Sequence, residues 1–390
     1  MLLRDGNILR RVMILTITAL SAIVCVTVHA EDSIPADSVK HGNLISRVIQ
    51  YFDDSNKPKE YKRFDFSVIG GPHYSSETKL SIGIVAAGLY RMDRTDSITQ
   101  PSNVSIYGDV STTGFYLIGI RGDNIFPNDK YRIDYNVYLY SFPTKFWGIG
   151  YKNDINDSNK SNYDDFRVET NGNFLIKVAN SLYIGPGYEF KYIRAKNVEN
   201  ELLWEGKPLA TTTVGLGFKA QYDTRDNLTA PTSGWYIGVE QRFCPRFLGN
   251  KSAFSSTEFH ANYYHGVWRG GVLATRLHSR YSYGNVPWGL LSTLGGSSTM
   301  RGYYEGRYCD KGSLDVTVEL RQHVWRRSGL VVWAGAGYVF PDFSEVMICR
   351  TLPNFGIGYR WELKKSVNIR LDYGIGRGES GIVFNVNEAF

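Results

Sequence analysis

From about residue 62 to the C-terminus, apolar and polar positions alternate with a period of two. In "LDVTVELRQ", Leu314, Val316, Val318 and Leu320 share one face, and Asp315, Thr317, Glu319 and Arg321 share the other. Successive side chains of a strand point to opposite sides, so this is the pattern of a β-strand. "YRIDYNVYLYS" sets Tyr131, Ile133, Tyr135, Val137 and Leu139 against Arg132, Asp134, Asn136 and Tyr138. "VNIRLDYGIG" sets Ile369, Leu371 and Tyr373 against Asn368, Arg370 and Asp372. One continuous apolar face and one charged face suit a membrane barrel, with lipid outside and polar side chains in water inside. A soluble β-sandwich has the same alternation with the apolar face turned inward, so the pattern alone leaves both open.

Sixteen such runs can be counted, the first near 63–70 and the last at 381–390. An even number is what bacterial single-chain barrels require. The resulting expectation is an all-β, 16-stranded antiparallel transmembrane β-barrel with both termini periplasmic. Short connections such as "RTDSITQPS" and "GDNIFPND" then become periplasmic turns, while 142–163, 196–209 and 285–312 become extracellular loops. The first strand is expected to be short and broken by Gly70-Gly71-Pro72, because Pro72 has no N–H for a ladder.

The N-terminus changes the picture in favour of the membrane. "MLLRDGNILRRV" is basic and "MILTITALSAIVCVTVHA" is apolar, ending in small residues at Val28 and Ala30. This predicts a secretory signal peptide over 1–30. The apolar run falls short of the about 20 residues of a membrane-spanning helix, and no later segment approaches that length. Residues 31–61 are expected to be a short periplasmic segment. Within it Leu44, Ile45, Val48, Ile49 and Phe52 lie on one face of a short amphipathic helix over 43–52, placed at the periplasmic mouth. The barrel follows over 62–390.

Composition narrows function further. Aromatic residues make up 14% and there are 27 tyrosines and 40 glycines, yet the mean hydropathy is negative, so apolar material is plentiful but never contiguous. The net charge of +6 is scattered with no basic run, which argues against nucleic acid as a partner. Cys244, Cys309 and Cys349 would remain after cleavage, an odd and sparse set without a CxxC pair. That excludes a disulfide-dense framework and points to no metal and no cofactor. Cys309 and Cys349 both fall in extracellular loops of this topology, where oxidising conditions would let them bridge; three free thiols is the alternative.

Three stretches together resemble the BamA/TamA family of outer-membrane proteins (the bacterial surface antigen superfamily) over about residues 60–390. "YDTRDNLTAPTSGWY" (222–236) is similar to its strand-loop-strand signature. "LGGSSTMRGY" (294–303) is similar to its sixth extracellular loop, through Arg301, Gly302 and Tyr303. "GIVFNVNEAF" (381–390) resembles its terminal assembly signal, through Gly381, Phe384, Val386 and Phe390.

The resemblance implies that loop six folds into the lumen and that Arg301 pairs with acidic residues on the wall. Glu319 matches the acidic partner on the next strand. Where the family shows aromatic-x-Asp-x-Gly, this chain has Trp333, Gly335 and Gly337, with glycine in place of the aspartate. Asp372 is the available substitute, since a luminal guanidinium needs charge-assisted bonds, and Gly335 and Gly337 are expected to leave room for the loop backbone.

The resemblance also implies outer-membrane lipid and periplasmic or membrane protein substrates as partners; a non-enzymatic role without catalytic residues is expected, since lone strand histidines are more often interfacial or luminal side chains. Between Glu31 and residue 62 there is no room for the POTRA domains of protein-inserting members, so the chain resembles bare-barrel members. A weak seam between first and last strands is expected from Pro72 and from Glu388, whose register with Ile382, Phe384 and Val386 sets a charge on the lipid face. A passive pore is the alternative, with Lys219, Arg321, Arg360 and Arg370 inward. A lipid hydrolase drawing on His260, His265, His278, His323 and the serines of "GGSS" is a third reading, but no Gly-x-Ser-x-Gly elbow occurs.

Overall fold

The structure, a computed structural model, describes residues 64–75, 79–93, 99–347, 350–364 and 366–390. The expected signal peptide, the helix at 43–52 and Cys349 lie outside the described residues. The strands are β1 (Phe64–Ser75), β2 (Lys79–Tyr90), β3 (Ser102–Ser111), β4 (Tyr116–Ile125), β5 (Tyr131–Phe146) and β6 (Ser161–Ala179). They continue as β7 (Leu182–Lys196), β8 (Ala210–Asp223), β9 (Gly234–Cys244), β10 (Phe254–Trp268), β11 (Gly271–Gly284) and β12 (Ser292–Leu294). The last six are β13 (Tyr308–Asp310), β14 (Gly312–Trp325), β15 (Ser328–Phe340), β16 (Leu352–Lys364), β17 (Val367–Ile375) and β18 (Ser380–Val386).

Sixteen of these form one antiparallel sheet in chain order, with β11 pairing β14; β12 and β13 make a separate hairpin ladder within the intervening loop. The alternation decides which face is which. Ile82, Ile84, Ile118, Val137, Ile357 and Phe384 are exposed on the outer surface, whereas Asp315, Glu319, Arg370 and Asp372 are buried inside. The sandwich alternative is thereby excluded: its apolar face would be the covered one. The longest connections, 147–160, 197–209 and 285–311, lie at one end and the two-residue turns 180–181, 269–270 and 326–327 at the other, as in an outer-membrane barrel.

β1 departs from the expected short strand. It runs through Gly70-Gly71-Pro72 to Ser75, with Pro72 opposite Ile82 of β2. Proline is tolerated there because β1 is the first strand of the sheet and, among the described residues, pairs with β2 alone.

Loops and side chains enter the lumen at both ends. At the long-loop end the lumen is not polar, as expected from alternation, but holds a packed aromatic cluster that includes Phe146, Tyr163, Ile193, Trp204, Phe254 and Trp288. Trp204 stands at its centre, with ring centroids 4.5 Å from Phe146, 5.3 Å from Tyr163 and 5.5 Å from Trp288. It comes from a 3-10 turn, Glu201–Trp204, in the β7–β8 loop, and Trp288 comes from a second, Trp288–Leu290, after β11. Loops this long carry their own apolar residues back into the barrel.

At the opposite end, the β8–β9 turn (224–233) crosses the mouth. Gln100 Nε2 donates to the Arg225 carbonyl (3.0 Å), Thr229 Oγ1 to the Ser366 carbonyl (2.6 Å), and the Glu388 amide to the Thr229 carbonyl (3.3 Å). The turn is held rigid internally, since Asn227 Oδ1 accepts from the amides of Thr229 and Ala230, and Asp226 Oδ1 from those of Thr232 and Ser233.

Trp204→Ala should therefore destabilise the barrel by about 3–5 kcal/mol, the usual cost of deleting a buried tryptophan. The check is the temperature at which the folded form loses its compact mobility in detergent gels. An unchanged transition would mean that the aromatic cluster is not packed as described.

Candidate functional site

The site is built by loop six, which leaves β11 and returns at β14. Its β12–β13 ladder pairs Ser292 with Asp310 and Leu294 with Tyr308. The tip then lies against β17. Gly302 sits at φ +106°, a conformation open mainly to glycine, and a Cβ there would overlap the carbonyl of Gly374. A Cβ on Gly374 would in turn overlap the Arg301 carbonyl. Two glycines, one on the loop and one on the wall, let the backbones meet.

Arg301 is 1% exposed and bonds to two strands at once. Its Nη2 donates to Glu319 of β14, and its Nη1 donates to Asp372 Oδ2 of β17 at 2.6 Å. The guanidinium carbon lies 3.7 Å from the ring centroid of Trp333 on β15, a cation–π stack. Trp333 Nε1 donates to Asn354 Oδ1 of β16 at 2.9 Å, and Asn354 Nδ2 donates to the Arg301 carbonyl. One residue of the loop thus engages β14, β15, β16 and β17. Tyr303 adds a second tie, its hydroxyl donating to the Pro353 carbonyl and accepting from the Arg377 amide, both at 2.7 Å.

Gly335 and Gly337 do not serve the loop backbone as expected. A Cβ on Gly335 would meet the Val316 carbonyl oxygen of β14 at 2.6 Å, so this glycine relieves strand–strand contact. Gly337 makes room for side chains, its Cβ position lying 3.0 Å from Leu294 Cδ1 and Met300 Sδ. Space for the loop comes instead from Gly374 and from Gly376, where a Cβ would overlap the Tyr303 ring.

A second shell of charge surrounds the pair. Arg321 Nε donates to Glu319 Oε1 at 2.7 Å, and Asp372 accepts from both Arg360 and Arg370. Glu388 joins this ring rather than the lipid face. β18 ends at Val386, Asn387 turns the chain at φ +69°, and Glu388 Oε2 accepts from Arg360 Nε while Oε1 accepts from Asn368 Nδ2, each at 2.7 Å. Phe390 follows it inward, where its carbonyl oxygen accepts from Arg321 Nη2 at 3.0 Å and its ring centroid lies 5.4 Å from the Arg321 guanidinium. Of the terminal motif, Gly381, Phe384 and Val386 are on β18 and Phe390 is not.

Cys309 is a buried free thiol donating to the Gly148 carbonyl at 3.2 Å, and Cys244 is likewise buried and free. Of the two alternatives for Cys309, the structure has the free thiol, with the residue packed into the aromatic cluster.

Sequence reasoning missed Asn354, Gly374 and Gly376. Asn354 shares the inward register of Arg360 on β16, so alternation carried that signal. The two glycines carried none, because their partner is a loop distant in sequence.

A profile described as the Omp85 superfamily domain matches residues 122–390. Among solved structures, the chain is similar to BamA from Haemophilus ducreyi lacking POTRA domains 1–3, with TM-score 0.55 and 14% identity over 84% of this chain and 71% of that one. It is also similar to CdiB from Escherichia coli, with TM-score 0.55 and 12% identity over 84% of this chain and 63% of that one. At such identities these likenesses speak to fold alone. A search of curated proteins found no match.

Removing the guanidinium leaves Glu319 and Asp372 buried without their shared partner. Arg301→Ala should cost about 3–5 kcal/mol, the range for breaking a buried ion pair. Glu319→Gln should cost less in the Arg301→Ala background than alone, with a coupling of at least about 1 kcal/mol. Urea unfolding from lipid bilayers measures all four corners of this cycle. Additive effects, or an Arg301→Ala variant within about 0.5 kcal/mol of wild type, would show that the contact does not hold the loop.

Proposed function

Because the chain belongs to the Omp85 superfamily, we propose that this outer-membrane barrel works at the seam between β1 and β18, helping lipid or protein substrates to insert or move, without enzymatic chemistry. The observation that carries the reading is the mismatch at that seam. The sheet begins at β1 and ends at β18, and among the described residues no ladder joins them. β18 has seven residues against twelve in β1. At about 3.3 Å per residue it extends about 23 Å along its own direction. A tilt of about 35–45° leaves about 16–19 Å of height, less than the about 25 Å of a usual apolar band.

A short wall thins the lipid beside it, and an unpaired edge offers backbone hydrogen bonds to an incoming strand. Both effects lower the barrier to insertion at this position. The pore reading is less well supported, because the aromatic cluster, loop six and the 224–233 turn occupy successive levels of the lumen.

The test replaces the native cysteines with serine and places cysteine pairs along β1 and β18. Reconstituted in vesicles, the oxidised barrel should lose most of its ability to accelerate folding of an outer-membrane client or exchange of lipid between leaflets, and reductant should restore it. Equal rates with the seam locked and free would refute the reading.

A further inference from the structure

We propose that Glu258, His260 and His278 form a binding site for one divalent transition ion of the zinc type on the luminal wall. Glu258 and His260 lie on β10 and His278 on β11, with the two histidines directly opposite in register. All three point inward, as shown by their even spacing with buried Ser256, Asn262 and Arg276. Glu258 Oε1 lies 3.0 Å from His260 Nε2 and 3.1 Å from His278 Nε2, and the three ligating atoms fall within 4.8 Å of one another.

These distances suit a metal. Four ligands at about 2.0–2.1 Å in a tetrahedron stand about 3.3 Å apart. Two of the three edges are already near that value, and a small rotation of the His260 ring closes the third. Two imidazoles with one carboxylate is the donor set of three-ligand zinc sites, which keep a fourth position open.

A second observation points the same way. His278 Nδ1 is 2.9 Å from Asp315 Oδ1 of β14, and Asp315 is fully buried. A carboxylate behind the ligating imidazole fixes its ring and tautomer, as metal-binding histidines require. The other oxygen, Asp315 Oδ2, has no hydrogen-bond partner among the described residues. With neutral imidazoles, Glu258 and Asp315 bring two negative charges, which a divalent ion balances. The neighbouring cation, Arg276, adds a positive charge close to the site, but its Nη1 donates to the Ser298 carbonyl of loop six at 2.9 Å. The side chains of His260 and Glu258 are 32% and 35% exposed, so water-accessible space in the lumen adjoins the two ligands. The competing state is a proton shared between the imidazoles and the carboxylates, with no ion bound.

The test uses the tag-free, full-length barrel in detergent, stripped with chelator and titrated calorimetrically with Zn²⁺ near pH 7.5. Wild type should bind one Zn²⁺ per chain more than the His260→Gln/His278→Gln double variant, which retains the remaining histidines and so reports background. Glu258→Gln and each single histidine variant should weaken that binding at least about tenfold, and Asp315→Asn about 10–100-fold. Zn²⁺ should raise the unfolding temperature of wild type and not of the double variant. Binding should fade as pH drops through the histidine range, because the ligands must be deprotonated. Should the buried His278 variants fail to adopt the compact gel form, the more exposed His260→Gln alone decides. Equal Zn²⁺ binding by wild type and the folded variants, or none by wild type, overturns the proposal.

Discussion

The buried guanidinium of Arg301 is the constraint on which the rest of the lumen depends. A charge at 1% exposure is costly to bury unless its donors are met, and here two carboxylates, an aromatic face and a wall amide meet the residue from four consecutive strands. Those partners demand that the loop backbone reach the wall, which Gly302 and Gly374 permit. Once the tip is fixed there, the rest of loop six must fold into the upper lumen, and its Trp288 completes the aromatic cluster around Trp204. The lower charges follow from the same centre. Glu319 and Asp372 bring Arg321, Arg360 and Arg370, and these in turn hold Glu388 and Phe390.

This arrangement sets a hydrogen-bonded, ion-paired interior beside a short last strand. The C-terminal residues spend themselves on luminal contacts rather than on the wall, because Asn387 turns the chain inward and leaves β18 seven residues long. The same ion pairs that secure Glu388 therefore shorten the last strand. One turn both delivers Glu388 to Arg360 and ends the last strand; with Glu388 kept in register, Arg360 would have Asp372 as its remaining carboxylate partner.

Much of the architecture was legible because alternation is a local property. Asp315, Thr317, Glu319 and Arg321 had to share a face whatever lay around them, and the number of strands followed by counting. Two classes of feature were not legible. The aromatic cluster was hidden because Trp204 and Trp288 sit in loops without periodicity, and only the fold brings them within 5.5 Å. The inward turn of Glu388 reversed its strand parity through one left-handed residue; an asparagine at 387 permitted that, but permission is weaker than a pattern. In the candidate site, the loop's arginine and its carboxylates stood out as charges needing partners. The glycines that admit the loop did not, since Gly374 and Gly376 differ in no local respect from Gly335 and Gly337.

The proposed action at the barrel wall requires that loop six and the flanking segments keep the lumen from conducting. Single-channel recording in planar bilayers tests this most directly, comparing purified wild type with a variant lacking residues 292–308. The account predicts a near-silent wild type and, because the aromatic cluster and the 224–233 turn remain, only small and unsteady openings in the variant. Equal, large and steady conductance in both would contradict it.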